Sequence, residues 1–163
     1  MKIRKGFIMI RRAEARDLAA VNALLRQVLT VHANGRPDIF IPDTKKYADD
    51  ELLALFKDDI RPVFVFDDEK DGVIGHAFCV IEETKNANNL RDMTTLYIDD
   101  ICVDEAHRRL GVATALFEHV KAYAQSLGCY HITLNVWEMN PAARRFYERM
   151  GMKPLKTVME AVL

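Results

Sequence analysis

Apolar residues follow two different spacings along this chain, and the spacing changes at turn-rich positions. Short stretches rich in apolar, β-branched and aromatic residues predict strands, because these side chains fit the pleated surface of a sheet. They lie at residues 8–11, 62–66, 73–81, 94–103 and 130–136, and a further predicted strand closes the chain at 155–162. The stretch at 94–103 has the strongest pattern, since it combines threonine, isoleucine, valine and tyrosine.

Helices are predicted where apolar residues recur at intervals of three and four, which places them on one face. Such stripes cover residues 17–32 and 112–127, and a weaker one covers 46–57. Gly128 follows the second stripe at the position of a left-handed helix cap. Asn140 and Pro141 supply the cap and the first residue of a last helix, which ends near Gly151. The mixture of strands and helices predicts one α/β domain with a mixed sheet over residues 1–163, ordered from about residue 8.

Composition and charge narrow the classes of partner and the compartment. Hydrophobic residues make up 50% of the 163-residue chain and charged residues 29%, a balance typical of a soluble protein with a core. The formal net charge of -1 supplies no field that would attract nucleic acid or an anionic membrane, and we expect neither as a partner. The three cysteines lack C-x-x-C spacing, and the five histidines lack the spacing of metal ligands. We therefore expect a cytoplasmic protein without disulfides and without a bound metal.

The segment between the strongest strand and the strongest helix has the composition of an anion site. A strand that ends in a turn presents the free N–H groups and the positive dipole end of the next helix. Gly111 lets a ligand approach the backbone closely, and Ala113 is the next smallest choice. Arg108 and Arg109 add cations that suit a phosphate. An ordinary turn with exposed arginines stays the alternative. The chain has neither G-x-x-x-x-G-K-[ST] nor G-x-G-x-x-G after a strand, which leaves nucleotide triphosphates and dinucleotides unsupported.

Asp99 and Asp100 are adjacent acids inside the most strand-like stretch. Regular alternation predicts that their side chains point to opposite faces, so that one reaches a cleft while the other meets a structural partner. Charge within an apolar strand is costly unless it is paired or functional, and burial raises the pKa of a carboxyl group towards that of a base. The pair is therefore a candidate general base, with two structural carboxylates as the alternative.

Two motifs of this chain resemble those of one enzyme family. The sequence R-x-x-G-x-A at 108–113 resembles the [QR]-x-x-G-x-[GA] signature of the GNAT acetyltransferases, and the flanking strand and helix resemble theirs as well. The segment N-x-x-A-x-x-x-Y-x-x-x-G-M at 140–152 is similar to the family's N-x-x-A-x-x-x-Y-x-x-x-G-F, with Met152 in place of phenylalanine. Residues 10–18 resemble the family's first strand and helix. The likeness spans nearly the whole chain and is weakest over residues 32–73.

The resemblance implies a fold, a cosubstrate and a set of binding residues. GNAT acyltransferases have a central, mostly antiparallel sheet with flanking helices, and the sheet splays between its two central strands. They transfer the acetyl group of acetyl-CoA directly to an amine. The turn is implied to bind the CoA pyrophosphate, through Arg108, Arg109, Leu110, Gly111, Val112, Ala113 and Thr114. Pantetheine and the thioester carbonyl are implied to meet the backbone of Ile101, Cys102 and Val103, with a further pantetheine contact from Asn140.

Tyr147 is the residue that the resemblance assigns as general acid at the CoA sulfur and as part of the CoA site. A phenol with a pKa of about 10 is a suitable donor to a thiolate whose acid has a pKa of about 8.5. Packing on the apolar face of the last helix is the alternative role for this residue. The resemblance puts a candidate base at Asp99, beside Asp100. Some relatives have a glutamate where this chain has Asn135, which is no base, and Glu138 is a poorer candidate.

The expected acceptor is a primary amine of a small molecule, such as a polyamine or an aminoglycoside, or of a peptide or protein. Acids concentrated over residues 38–59 suit a cation, with a solvated helix face as the alternative. His32, Arg36 and Phe40 are placed at the entrance of the site. Two further alternatives stay open: Cys102 as an acyl-carrying nucleophile, and a non-catalytic CoA-binding module that regulates or scaffolds a partner. A homodimer is expected by analogy with relatives.

Overall fold

The computed structural model describes residues 8–163, and the first part of the predicted domain, residues 1–7, lies outside them. Within that range the strands are β1 Ile8–Arg12, β2 Val63–Asp68, β3 Gly72–Thr84, β4 Met93–Val103 and β5 His131–Leu134. The α-helices are α1 Leu18–Gly35, α2 Asp49–Leu55, α3 Val112–Ser126 and α4 Pro141–Arg149. Short 3-10 turns at Ala15–Asp17 and Glu105–His107 precede α1 and α3.

A single sheet contains the five strands in the order β1-β2-β3-β4-β5. Neighbouring strands are antiparallel from β1 to β4, and the last pair, β4 and β5, runs parallel. α3 forms the crossover between these two parallel strands, because a hairpin cannot join a parallel pair. The architecture is the mixed, mostly antiparallel α/β sheet with flanking helices that the sequence predicts.

The register between β3 and β4 changes in the middle of the sheet. Phe78 lies opposite Asp100 and Cys79 lies opposite Ile98, so Asp99 is an extra residue without an opposite residue on β3. A bulge of this kind bends the strand and interrupts the alternation of its side chains. On its other side, β4 pairs with β5 as far as Ile98 and no further. Pairing between β4 and the edge strand β5 therefore ends beside the bulge, and the last residues of β4 have no strand partner on that side within residues 8–163, which agrees with the splay predicted for this fold.

The two faces of the sheet have separate hydrophobic cores. The core under α3 and α4 includes Phe64, Phe66, Leu96, Ile98, Leu116 and Phe117. The core under α1 and α2 includes Val21, Leu25, Leu52, Leu55, Val65 and Phe78. Gly75 of β3 permits the close approach of α3, since an added Cβ would lie 3.0 Å from Val112 Cγ1 and 3.1 Å from Leu116 Cδ1. This packing brings the first turn of α3 against the end of β4.

α2 is shorter than the sequence predicts. The Glu51 carboxylate accepts a hydrogen bond of 2.8 Å from the N–H of Ala48, and this cap makes the helix begin directly after Ala48. Lys46 and Tyr47 consequently belong to the loop between α1 and α2 rather than to a helix. That loop packs against the sheet, where the Tyr47 ring stacks on the Phe78 ring at a centroid distance of 5.9 Å.

Two predicted helix ends are confirmed. Gly128 follows α3 with a φ of +70°, the left-handed conformation that glycine adopts readily. At the start of α4, Asn140 Oδ1 accepts a hydrogen bond of 3.1 Å from the N–H of Ala143, and Pro141 is the first helical residue. None of the helices within residues 8–163 has both the length and the apolar content needed to cross a membrane.

The closing strand predicted at 155–162 is wrong. The C-terminal segment, residues 152–163, has no helix or strand, and its large apolar side chains face solvent. Hydrogen bonds of 2.5 and 3.1 Å join the Arg36 guanidinium, at the end of α1, to the Glu160 carboxylate. The segment is thus attached to α1 and forms no ladder with β5. A sequence with strand-like residues forms a strand only where the edge of another strand is available for pairing, and the tertiary structure determines whether such an edge is near.

Candidate active site

The turn between β4 and α3 has an unusual backbone. Arg109 has a φ of +64° and Gly111 a φ of +85°. Glycine tolerates this conformation, whereas a residue with a Cβ adopts it rarely and at a cost in free energy. Left-handed residues within a turn curve the chain so that its N–H groups converge, which is a common geometry for anion binding. The residues predicted to bind pyrophosphate therefore lie on a concave stretch of backbone.

The first turn of α3 adds further N–H donors to this concave stretch. The cap residue is Gly111, which has no side chain to accept hydrogen bonds from the helix N-terminus. The N–H groups of Val112, Ala113 and Thr114 consequently point into the turn without intrahelical partners. The helical hydrogen bonds begin with the one from Ala115 N–H to Gly111 O, at 3.0 Å. Together with the positive end of the helix dipole, these donors suit a phosphate.

Arg108 and Arg109 supply positive charge beside these amides. Both side chains are exposed, and within residues 8–163 neither guanidinium forms an ion pair. Leu110, which separates them from Gly111, is 58% exposed. The arginines are therefore available to meet phosphate oxygens, which they bind with charge-assisted hydrogen bonds.

Neighbouring elements hold the turn in place. Gln27 of α1 donates from Nε2 to Asp104 Oδ1 at 2.8 Å, and Gln27 Oε1 accepts from the N–H of Glu105 at 3.0 Å. The N–H of Asp104 donates to the carbonyl of Ile74 on β3 at 2.9 Å. His107 Nδ1 lies 2.6 Å from Asp104 Oδ2, and this hydrogen bond raises the pKa of His107. The turn is thus fastened to α1 and β3, which preorganises its amides.

Ile101, Cys102 and Val103 are the last residues of β4, directly before the turn. β5 no longer pairs with this part of β4, so its outer backbone groups face the gap between the two strands. Cys102 is buried, and its thiol donates to the carbonyl of Leu24 at 3.5 Å. Burial raises the pKa of this thiol to about 12. Because only the thiolate is a good nucleophile, the structure argues against Cys102 as an acyl carrier.

Asn140 and Tyr147 both lie on α4. The Asn140 carbonyl oxygen caps the helix, which leaves its Nδ2 group for another partner. Tyr147 is half-buried and packs on the rings of Phe146 and Phe117, at centroid distances of 5.1 and 6.4 Å. Burial, followed by the charge of Asp100, raises the pKa of Tyr147. Its hydroxyl therefore keeps its proton at neutral pH, and apolar packing is compatible with a role as proton donor.

The expectation that Asp99 and Asp100 point to opposite faces is wrong, because the bulge interrupts the alternation. Asp99 Oδ2 lies 2.5 Å from the ammonium of Lys46, in the loop between α1 and α2. Partial burial lowers the pKa of Lys46, but the hydrogen bond to Asp99 and the charges of both acids outweigh it, so the pKa is raised. Asp100 Oδ2 lies 2.5 Å from His76 Nε2 on β3. Both carboxylates therefore lie on the side of the sheet that α1 and α2 cover.

Lys46 and His76 are site residues that the sequence did not reveal. Lys46 falls within the predicted second helix, and nothing in its local pattern indicates an approach to β4. His76 is 0% exposed and interrupts an apolar strand, which was the one signal available. Its partner on β4 is 24 residues away, so no spacing rule connects the two.

The rings of His32, Phe40 and Trp137 pack together and form an aromatic wall. The ring centroids of His32 and Phe40 are 5.0 Å apart, and those of Phe40 and Trp137 are 5.2 Å apart. Burial lowers the pKa of His32, and the charges of Asp100 and then Lys46 also act on it. His32 thus lies within electrostatic range of Asp100 and packs on Phe40, and Trp137, which follows β5, is an addition to the predicted entrance.

The other polar candidates have local partners. Most acids over residues 38–59 form ion pairs with near neighbours, as expected for a solvated face. These pairs are Asp38–Arg36, Asp49–Lys45, Asp58–Arg61 and Asp59–Arg12. Arg36, which was predicted at the entrance, forms ion pairs with Asp38 and Glu160 instead. Asn135 donates to the Tyr97 hydroxyl at 3.2 Å, and the Glu138 side chain is 92% exposed.

Known proteins with this fold include acetyltransferases. The aminoglycoside N-acetyltransferase AAC(6')-Iy, solved with CoA, is 18% identical, with a TM-score of 0.70 over 100% of this chain and 99% of that one. The aminoglycoside acetyltransferase meta-AAC0020 from an uncultured soil metagenomic sample, solved with sisomicin, is 17% identical, with a TM-score of 0.72 over 96% and 95% of the two chains. At this identity the likeness shows the fold alone.

More similar proteins are known as well. BH1408 of Bacillus halodurans, solved as a tetramutant, is 30% identical with a TM-score of 0.91, covering 95% of this chain and 99% of that one. The probable N-acetyltransferase san of Drosophila melanogaster is 33% identical over 88 residues, which are 53% of this chain and 45% of that protein. That alignment spans less than half of the curated relative. The sequence matches the acetyltransferase (GNAT) family over residues 28–152, which is most of its length, and the chain therefore belongs to that family.

Proposed function

We propose that this protein transfers the acetyl group of acetyl-CoA directly to a primary amine. The observation that carries the proposal is the location of three features around the end of β4. The amide-lined turn follows the strand, the acids Asp99 and Asp100 lie at its bulge, and the Tyr147 hydroxyl carries its proton within reach of the Asp100 charge. An acyl transfer needs an anchored donor, a proton acceptor and a proton donor.

The residues present fit the anionic and extended parts of CoA. Converging amides, a helix N-terminus and two unpaired arginines match the chemistry of a pyrophosphate. The free edge of β4 at Ile101, Cys102 and Val103 supplies backbone groups for the pantetheine arm, and Asn140 Nδ2 is a further donor. When bound, acetyl-CoA would supply a thioester whose C–S bond breaks as a C–N bond to the acceptor forms; an acceptor that arrives as an ammonium ion then yields an amide, a thiol and one released proton.

Tyr147 is proposed as the general acid, and the Asp99–Asp100 pair as the general base. The protonated Tyr147 Oη donates its proton to the departing sulfur. A carboxylate of the pair takes a proton from the acceptor ammonium, so that the nitrogen lone pair is free to attack. Support for this assignment comes from the place of Tyr147 on α4, where its hydroxyl is protonated at neutral pH because burial and then the charge of Asp100 raise its pKa.

A cationic amine is the acceptor class that we propose, in a small molecule such as a polyamine or an aminoglycoside, or in a peptide. Two carboxylates beside an aromatic wall favour an ammonium group, since rings attract cations through their π-faces and acids through charge. Two proteins with this fold are named for acting on aminoglycosides. The acids of β4 are proposed to bind this ammonium because Asp38, Asp49, Asp58 and Asp59 already form ion pairs with other residues.

The alternative is a non-catalytic CoA-binding module that regulates or scaffolds a partner. Purified protein with acetyl-CoA and a panel of amines, namely spermidine, an aminoglycoside and a lysine peptide, distinguishes the two by release of free thiol. We expect amine-dependent release above the hydrolysis background with at least one acceptor. Heat of CoA binding without release with any amine would establish the module instead, and no heat with CoA would remove both.

A cytoplasmic location and a homodimer complete the proposal, with no nucleic acid, membrane or metal involved. The three cysteines are free thiols, which suits a reducing compartment. The homodimer is supported by the C-terminal segment, where Leu155, Val158 and Val162 are 71%, 83% and 84% exposed. The outer edge of β5 forms no strand pairing within residues 8–163. An extended apolar segment and an open edge on the same chain are complementary, so two copies can satisfy each other.

A further inference from the structure

His76 and Asp100 form a buried pair at the point where the sheet opens. His76 of β3 is 0% exposed, while the Asp100 side chain on β4 is 12% exposed, so part of its surface remains accessible. The distance from His76 Nε2 to Asp100 Oδ2 is 2.5 Å, within hydrogen-bond range. The imidazole ring also packs edge-on against Phe78 at a centroid distance of 4.9 Å. Packing and the hydrogen bond therefore fix the ring beside the carboxylate.

The second ring nitrogen determines the protonation state of His76. Its Nδ1 is buried and has no hydrogen-bond partner within residues 8–163. An imidazolium would bury an unpaired N–H donor as well as a charge there, which is the costlier arrangement. In the neutral tautomer with the proton on Nε2, Nδ1 is an unpaired acceptor and Nε2–H donates to Asp100. The Nε2–H group of His76 is therefore the donor, and the Asp100 carboxylate is its acceptor.

Asp99 has a different environment from Asp100. The Asp99 side chain is 32% exposed, and its carboxylate is paired with the ammonium of Lys46, which lies in the loop between α1 and α2. Asp100 lies on the same strand but is held by His76 of β3. The charge of Asp99 acts on Lys46, Tyr47, Cys79 and Tyr97. The titratable groups on which Asp100 acts are His76 of β3, His32 of α1, Lys46 and Tyr47 of the loop, Cys102 of β4 and Tyr147 of α4. Asp100 is thus the acid of the pair whose charge acts on the proposed general acid, Tyr147.

We infer that Asp100 is the proton acceptor of the pair and that His76 is the positioning residue that aims its carboxylate. The inference rests on the proposed acetyl transfer and selects between the two candidate bases. The acceptor ammonium transfers one proton to Asp100, and the nitrogen keeps the electron pair. His76 retains its own proton throughout, because Nδ1 has no buried partner through which a proton could leave.

Two substitutions at His76 test the positioning role. His76→Gln places an amide N–H near the site of Nε2–H, whereas His76→Leu removes the donor at similar volume. We expect His76→Leu to lower kcat by about 10- to 100-fold, the range for partners that orient a reacting group. The acid limb of the pH profile of kcat/KM should move to higher pH, since the carboxylate has lost a donor and is protonated more easily. His76→Gln should recover most of both effects.

The acids provide a matched comparison. Asp100→Asn should remove the acid limb and lower kcat by about 10²- to 10⁴-fold, while Asp99→Asn should mainly raise the KM of the acceptor. A larger kcat loss in Asp99→Asn than in Asp100→Asn would overturn the inference. His119→Gln is the control for loss of an imidazole, because His119 contacts Phe64 under α3, away from the site.

A spectroscopic measurement on the free protein does not depend on activity. Long-range ¹H–¹⁵N correlations of the histidine rings should show His76 with its proton on Nε2, and this downfield Nε2–H proton should move upfield in Asp100→Asn. An Nδ1–H tautomer would overturn the inference even if His76→Leu fails to fold. A wild type that releases no thiol overturns the proposed function, and with it the role of Asp100. A wild type that releases thiol, with an unchanged pH profile in His76→Leu, overturns this inference alone.

Discussion

Lys46 Nζ and Asp99 Oδ2 are 2.5 Å apart, and this ion pair joins the loop between α1 and α2 to the bulge of β4. The ammonium group of Lys46 is thus paired with one of the two carboxylates of the proposed acceptor site. The Tyr47 ring lies 5.4 Å from the same ammonium, as an aromatic ring does around a bound cation. The arrangement indicates where the ammonium of a substrate would be stabilised.

Removal of the Lys46 ammonium should strengthen the binding of a cationic acceptor. Lys46→Met keeps the apolar stem and leaves Asp99 without its counter-ion, so we expect the acceptor KM to fall by about 2- to 5-fold, the scale of a partly exposed ion pair. Steady-state kinetics with the preferred amine measure the change. Lys45→Met is the matched control, because Lys45 pairs with Asp49 instead. An unchanged or higher KM in Lys46→Met would show that the substrate does not compete for Asp99.

Alanine in place of Gly111 should weaken CoA binding. Gly111 and Gly128 flank α3 with φ values of +85° and +70°, so alanine at either site should cost about 1–2 kcal/mol of unfolding free energy. Because the Gly111 amide belongs to the concave turn, its distortion should also raise the Kd for CoA. Urea denaturation and calorimetry separate these effects. Equal CoA affinities for Gly111→Ala and Gly128→Ala would exclude the turn as the pyrophosphate site.

Loss of the Tyr147 hydroxyl should slow turnover without affecting CoA binding. Tyr147→Phe retains the packing on Phe117 and Phe146 and removes the proton donor, so kcat should fall by about 10²-fold or more. Tyr123→Phe is the control, since Tyr123 packs on Phe64 under α3. Kinetics and calorimetry report the two properties. Equal kcat values for the two variants across the pH range would remove Tyr147 from the mechanism.

His107 should make the stability of the protein depend on pH. The hydrogen bond that His107 donates to the Asp104 carboxylate raises the pKa of His107, so the folded state holds this proton more tightly than the unfolded state. The contribution is complete below the unfolded pKa of about 6.5 and is lost as the pH rises through the higher folded value. The unfolding free energy of the wild type should therefore fall over this interval more than that of His107→Gln. Urea denaturation at several pH values tests this, and parallel curves for the two proteins would contradict it.

Removal of the C-terminal segment should abolish the proposed homodimer. Sedimentation should show a dimer for the full chain and a monomer for a chain that ends at residue 152, because the truncation deletes the exposed apolar residues. Val158→Asp in the full chain is the second variant, since it places a charge in the same segment and leaves the Arg36–Glu160 contact in place. A full chain that is monomeric at all concentrations would exclude the dimer.

Local sequence was sufficient for the order of the strands and α-helices from β1 to α4, for two helix caps and for the turn that carries the family signature. Gly128 and Asn140 act on residues within a few positions of themselves, and helix and strand periods repeat over short distances. The turn at 108–113 was accessible for the same reason, as its strand, glycine and helix are consecutive. These features depend on contacts between residues that are close to each other in the sequence.

The partners of the acids and the course of the C-terminal segment depend on the tertiary structure. Lys46 and Asp99 are 53 residues apart and His76 and Asp100 are 24 apart, and they meet because β3, β4 and the loop pack together. A single bulge residue directs Asp99 and Asp100 to the same side of the sheet, where regular alternation predicts opposite sides. Side-chain direction in a strand is a property of its register with a neighbour, and register is decided by packing across the whole sheet.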